Sequence, residues 1–265
     1  FYHDNPPTTT RKWIKNLKED MPKLRYFFSE ITGYDATDMR EMAKLLGEDG
    51  ALGYHYVPTG LHDLFHWFDD GMTGASIAFY EERDTLDELV EWITNDRLQE
   101  VKIAIDCKPD YVLFGCSGMW TLNTPEAFHR YCLPPIQKVA KWGREAGVIV
   151  ILHCCGKERE LVEICATQTD LNCINPLEIP PMGDCNLAEI KEKFGDKIAL
   201  MGNLHTTEVM LRGTVEEVEA ASRQAIDDGG KNGGFILSTG DQCGRDTPDE
   251  NIRAMVRTAR TYGKY

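Results

Sequence analysis

The chain has 265 residues, 42% of them apolar, and a formal net charge of −14. That size suits one large domain with a sizeable core, and α/β barrels commonly have it. The acidic balance repels phosphate backbones and anionic lipid, which argues against nucleic-acid and membrane-surface partners. In chain order, Pro6-Pro7 and the three threonines after them read as extended. Trp13, Ile14 and Leu17 suggest a helix that Pro22 interrupts or ends. Residues 1–50 are thus an irregular, partly helical entry to one α/β-barrel domain, whose βα units fill 51–265. Leu52–Tyr56 is a strand candidate. The segment His55–Tyr80 is rich in aromatics and glycine and suits the wall of a pocket or a cover over a barrel mouth.

From about Pro109 onward strand and helix signals alternate. Tyr111–Phe114 is a strand, and Thr124-Pro125-Glu126 opens a helix as N-cap, first-turn proline and acidic residue. That helix runs to Gly147. Val148–Leu152 is a run of apolar, mostly β-branched residues, the mark of a buried parallel strand. A helix follows through Leu161, Ile164 and Cys165, then a short strand at Cys173-Ile174 and a helix at Leu187, Ile190 and Phe194. Ile198–Met201 is a strand, Thr214 and Glu217 form a capping box ahead of Val215, Val218 and Ala225, and Phe235–Leu237 is the last strand. Thr247-Pro248-Asp249-Glu250 reads as a second capping box, with Ile252, Met255, Val256 and Ala259 as the apolar stripe of the final helix.

A βαβα series implies a parallel sheet with right-handed crossovers. Six strands fall two short of an eight-fold barrel. Either the first units precede Phe1 or the sheet is open, in which case its exposed edge predicts instability or pairing with another chain. The chain begins at Phe1 rather than Met, as a partial sequence would. No apolar stretch nears the ~18 residues that span a bilayer, and no signal peptide is visible. Nine cysteines, odd in number and without a disulfide rhythm, predict free thiols in a reducing cytoplasm.

His153-Cys154-Cys155 is the most informative tripeptide. Side chains alternate along a strand, so His153 and Cys155 share one face and Cys154 takes the other. An imidazole and a thiol at the carboxyl end of a parallel strand make a two-toothed metal clamp where α/β proteins bind ligands. Ser238-Thr239-Gly240-Asp241-Gln242-Cys243-Gly244 follows the last strand, so Asp241 or Cys243 can converge on the pair. A histidine and cysteines with a fourth position open favour zinc over magnesium or calcium. Cys107, Cys132, Cys154, Cys165 and Cys173 read as small core residues. Other strand ends offer Gly115-Cys116-Ser117-Gly118, Asn175-Pro176-Leu177-Glu178 and Gly202-Asn203-Leu204-His205. Asn203 and Glu178 suit orientation of substrate or support of a metal ligand, while Asn-Pro and Gly-Asn are also ordinary turn chemistry.

Leu152-His153-Cys154-Cys155-Gly156-Lys157, Asn175-Pro176-Leu177-Glu178, Gly195-Asp196-Lys197-Ile198, Met201-Gly202-Asn203, Gly234-Phe235-Ile236-Leu237-Ser238 and Asp246-Thr247-Pro248 with Glu250-Asn251-Ile252 together resemble the uroporphyrinogen decarboxylase superfamily over roughly the last 160 residues. The resemblance implies a (β/α)8 TIM barrel lacking its first βα units here. It also implies one of two chemistries: cofactor-independent decarboxylation of a tetrapyrrole, or methyl transfer between a corrinoid protein and a thiol or folate acceptor, in many members with zinc. Methyltransferase members carry a His-x-Cys pair where this chain has His153 and Cys155, so the residues lean toward that branch. Their third ligand, a cysteine directly after a glycine, falls on Asp241, with Cys243 two residues later; Asp241, Cys243 or neither completes the set. The implied site is Asp241 and Glu178 in catalysis, Asn203, His205, Ser117 and Gln242 on substrate, and His153, Cys155 and Cys243 on metal. The implied partners are a small-molecule methyl acceptor and a corrinoid protein. For a decarboxylase, Lys157, Arg159 and Arg245 are the candidate carboxylate-holding cations; a non-catalytic corrinoid- or tetrapyrrole-binding protein is a third reading.

Overall fold

Six apolar segments became six strands. The computed structural model describes Thr9 and residues 11–264; apart from Thr9, the extended Pro6–Thr10 stretch lies outside them. The strands are β1 (Gly53–Tyr56), β2 (Tyr111–Gly115), β3 (Ile149–His153), β4 (Cys173–Asn175), β5 (Ala199–Leu204) and β6 (Phe235–Thr239). They form one all-parallel sheet in the order β1-β2-β3-β4-β5-β6. Parallel neighbours cannot be joined by tight turns, so at least one helix lies in each crossover. This is the arrangement of a partial TIM barrel.

Register separates two faces. Val112 pairs with Val150, Phe114 with Leu152, Leu152 with Ile174, and Ile174 with Leu200. All are at most 1% exposed and pack under the helices. Each fully buried side chain of this kind stabilises the fold by about 1.5–3 kcal/mol. The alternate positions Leu113, Gly115, Ile151, His153, Asn175 and Met201 form the other face, and that face carries the polar groups. Its apolar members Ile149 and Ile236 are about half exposed, at 49% and 48%.

The helices are α1 (Leu17–Leu24), α2 (Thr37–Leu46), α3 (Leu61–Leu64), α4 (Met72–Glu81), α5 (Arg83–Asp106), α6 (Pro125–Ala127), α7 (Leu133–Ala146), α8 (Arg159–Gln168), α9 (Leu187–Phe194), α10 (Val215–Gly229) and α11 (Asp249–Thr261). Thr124 caps α6 through Ala127 N–H, a π-helical turn joins α6 to α7, and Gly147 ends α7 at φ 73°. The capping box of Thr214 and Glu217 is present at α10.

Four readings are corrected. The first helix starts at Leu17, not Trp13, and Pro22 lies inside it; Ile14 instead bridges to Phe68. In α11 the N-cap is Pro248, so Thr247 sits one residue too early to cap and its buried hydroxyl has no partner among the described residues. The buried stripe of α11 is Asn251, Ala254 and Thr258, while Ile252 and Val256 are each 38% exposed. Asn251 is buried because its amide donates to Met210 O and Gly213 O at 2.9 and 2.8 Å. Cys107 is half-buried rather than core, whereas Cys132, Cys154, Cys165 and Cys173 are buried. About half of the aromatic segment 55–80 folds into α3 and α4, and its Phe68 and Phe79 lie in the core. Of it, only His55 reaches the cavity described next.

Candidate functional site

His153 is the last residue of β3, and Cys155 lies just past it. Cys155 Sγ sits 3.3 Å from His153 Nε2. Asp241, in the loop after β6, brings Oδ1 to 3.9 Å from the same nitrogen. One donor atom from each of the three lies within 4.8 Å of the others. Asn175 stands beside His153 in the β3–β4 register, and its Oδ1 lies 3.1 Å from His153 Nδ1. The Asn175 amide nitrogen points instead at Met201 Sδ, 3.7 Å away. An amide oxygen only accepts, so Nδ1 is the ring nitrogen that donates to Asn175, and Nε2 faces Cys155 and Asp241.

Loops from neighbouring strands clasp this segment. Gly115 has φ +120°, and a Cβ there would fall 2.1 Å from His153 O, so only glycine lets β2 approach so closely. Cys155 donates its S–H to Ser117 Oγ at 3.0 Å, and its carbonyl accepts from Gly118 N–H at 3.1 Å. On the other side Cys154 N–H donates to Asn175 O at 2.9 Å, and Gly156 N–H donates to Glu178 Oε2 at 2.5 Å. Burial pushes the Cys155 thiol up to about 12 against the Ser117 hydrogen bond, which works the other way. The Cys116 thiol is also pushed up to about 12, again mainly by burial. Burial likewise raises Glu178 above the usual carboxylate range.

The donor chemistry fits zinc: one imidazole nitrogen, one sulfur and one carboxylate oxygen are all ligands it accepts. A thiol held at about 12 stays protonated at neutral pH, so metal binding there would release a proton. Beside the cluster opens a cavity of about 480 Å³, lined by His55, Ser117, His153, Asn175, Asp241 and Gln242 among others.

A family model described as uroporphyrinogen decarboxylase (URO-D) matches residues 69–262. The chain belongs to the URO-D family. It is 25% identical over 266 residues to the methylcobamide:CoM methyltransferase MtbA of Methanosarcina mazei, covering 97% of this chain and 72% of that protein. It is 27% identical over 144 residues to the methylated-thiol–coenzyme M methyltransferase of the same organism, covering 54% of this chain and 35% of that protein. A solved structure of a methyltransferase from Methanosarcina mazei superposes with a TM-score of 0.68 at 16% identity, over 85% of this chain and 63% of that one. The chain thus spans 72% of MtbA, 63% of the solved structure's chain and 35% of the methylated-thiol enzyme.

Within this URO-D chain, His153, Cys155 and Asp241 come together, and Ser117 and Gln242 line the same cavity. Cys243 stands outside the three-residue cluster and packs half-buried against the core. Asn203 is 8% exposed, and its amide donates to Leu177 O at 3.2 Å rather than facing the cavity. His205 also lies off the cavity: its Nδ1 accepts from Thr207 and Glu208 N–H, capping the π-helical turn Thr206–Leu211. Glu178 does not line the cavity; its Oε2 accepts Gly156 N–H. Lys157, Arg159 and Arg245 do not line the cavity, and no lysine or arginine does among the described residues. Sequence reading missed Asn175 and His55. Asn175 is legible as a polar residue at the end of the strand next to His153; His55, whose Nε2 lies 3.1 Å from Gly115 O, carries no signal of its own within an aromatic segment.

Proposed function

We propose that this chain is a methyltransferase that moves a methyl group between a corrinoid and a thiol acceptor, with zinc held by His153, Cys155 and Asp241. The observation that carries the reading is the convergence of those three donors beside an open cavity, in a URO-D family member whose relatives include named methylcobamide:CoM methyltransferases. In the transfer to a thiol, a C–S bond forms as the carbon–cobalt bond breaks. The bonding pair stays with cobalt, and the thiol proton leaves to solvent. Zinc, when bound, would lower the acceptor thiol's pKa and keep it as thiolate near neutral pH.

The protein's own residues would supply position. Asn175 keeps the proton of His153 on Nδ1, away from the cluster. Ser117 holds the Cys155 sulfur, and Asp241 adds a carboxylate from the loop after β6, at the same carboxyl end of the sheet. Gln242 and His55 give the cavity polar walls that can hold an acceptor in line. The corrinoid itself is far larger than this cavity, so a partner protein would carry it to the mouth. Nine free thiols support a reducing, cytoplasmic setting, and no helix among the described residues is long and apolar enough to cross a membrane.

The test is spectrophotometric. Methylcobalamin is incubated with the zinc-supplemented protein and a panel of small thiols, and loss of the methyl-cobalt band is followed. The reading predicts thiol-dependent demethylation that His153→Ala abolishes. Demethylation equal in wild type and His153→Ala, or none with any thiol, would overturn it.

A further inference from the structure

Behind the three donors lies a buried acid that the proposed chemistry does not use. Glu158 sits at the N-terminal end of α8, three residues after Cys155, and is 0% exposed. Its Oε2 accepts Leu177 N–H at 2.6 Å, and its own N–H donates to Asp184 Oδ1 at 2.9 Å. Its Oε1 has no partner among the described residues. Burial raises the pKa of this carboxyl well above its ordinary value, because it penalises the charged form.

The residue it grips is the pivot of the turn after β4. Leu177 is fully buried with φ +61°, a backbone conformation that branched side chains rarely adopt. Without Glu158 its N–H would be buried and unpaired. The turn reaches the donor cluster at two points. Two residues before Leu177, Asn175 fixes the His153 ring; one residue after it, Glu178 holds Gly156 N–H beside Cys155. Asn203 steadies the same turn from the opposite side through Leu177 O.

We infer that Glu158 is a positioning residue for the candidate metal centre: by holding Leu177 N–H it sets the turn 175–178, and through that turn the His153 ring and the segment that carries Cys155. Its functional meaning rests on the metal reading above, but the positioning itself does not require metal. Glu158→Met removes the acceptor at similar volume, and Glu158→Gln keeps an uncharged acceptor. Leu161→Ala, on the same helix and fully buried, supplies a destabilised control that keeps every hydrogen bond of the turn's side chains and of Glu158.

Two quantities are read on each: amide hydrogen exchange at Gly156 and Leu177 in metal-free protein, and zinc affinity by chelator competition. Exchange at both amides should accelerate in Glu158→Met beyond Leu161→Ala, and zinc affinity should fall on the order of 10–100-fold, as for other residues that support ligands. Glu158→Gln should restore most of both. Should Glu158→Met fail to fold, Asn203→Ala frees the turn from its other side and should show the same two effects. Exchange in the acceptor-free variant no faster than in Leu161→Ala, or a failure of Glu158→Gln to restore it, would overturn the inference. If wild-type protein binds no zinc, the metal reading falls, and exchange at Gly156 still decides the positioning claim.

Discussion

Asp63 and Arg97 form the most buried ion pair among the described residues, and removing one partner gives a sharp test of its energetics. Their side chains are 8% and 20% exposed, and the carboxylate is gripped by both guanidinium nitrogens at 2.7 and 3.2 Å. Arg97 Nη1 also donates to Val57 O and Thr59 Oγ1 at 3.2 and 3.3 Å, so it ties the segment after β1 to α5. Asp63→Ala leaves the arginine with those two longer contacts and no counter-charge. An exposed pair would lose at most about 1 kcal/mol, whereas stranding a buried charge costs about 3–5 kcal/mol. With Arg97 one-fifth exposed, the lower end, about 3 kcal/mol, is expected. For a domain of this size that is a fall in Tm of about 6–12 °C. Scanning calorimetry of wild type, Asp63→Ala and the double variant Asp63→Leu with Arg97→Met reads it, and the double variant should recover much of the loss because no buried charge is stranded. A fall of under about 2 °C in Asp63→Ala would show that the pair behaves as a surface pair and would refute the reasoning.

Asn175→Ala removes the acceptor that fixes the His153 tautomer; zinc affinity should drop about tenfold, with the imidazole nitrogen spectrum moving toward mixed tautomers, and unchanged values on both would count against the orienting role. Gly115→Ala would drive a methyl group into His153 O at a φ of +120°, so β2 must shift and zinc binding should weaken even in protein that stays folded; retention of wild-type affinity would contradict the close-approach argument. His62 is 1% exposed, and burial holds its pKa down at about 3 against an ordinary 6.5. Below 6.5 the unfolded chain takes up a proton that the folded chain refuses, so this stability is full above pH 6.5 and is lost as pH falls toward 3. Between pH 6.5 and 5 the loss is about 2 kcal/mol. Urea unfolding of wild type and His62→Gln at pH 7 and pH 5 should show the difference between them shrinking by roughly that amount; an unchanged difference would mean His62 titrates normally.

The strands were legible because a parallel strand covered on its outer face writes itself as an apolar run. Their ends were less so: β3 includes His153 and β2 includes Gly115, neither of which belongs to such a run. The long helix α5 was present in the spacing of Leu86, Leu89, Val90 and Ile93 and went unassigned for want of a strong start signal; Glu82 makes no side-chain cap there. In α11 hydropathy favoured Ile252 and Val256, but the buried position belongs to Asn251, whose value lies in carbonyls 38 and 41 residues away. The same limit governs the site. Alternation along a strand was enough to bring His153 and Cys155 together. Choosing between Asp241 and Cys243 depended on the path of the loop after β6. Asn175 and Glu158 act through strand pairing and a turn, neither of which a single sequence displays.

The account turns on which atoms surround the metal. X-ray absorption at the zinc edge on zinc-loaded protein should find a single zinc per chain with one sulfur and a remainder of nitrogen and oxygen, the sulfur signal vanishing in Cys155→Ser. Two sulfurs would place Cys243 or Cys116 in the set instead of Asp241, and a protein that binds no zinc would remove the metal centre altogether.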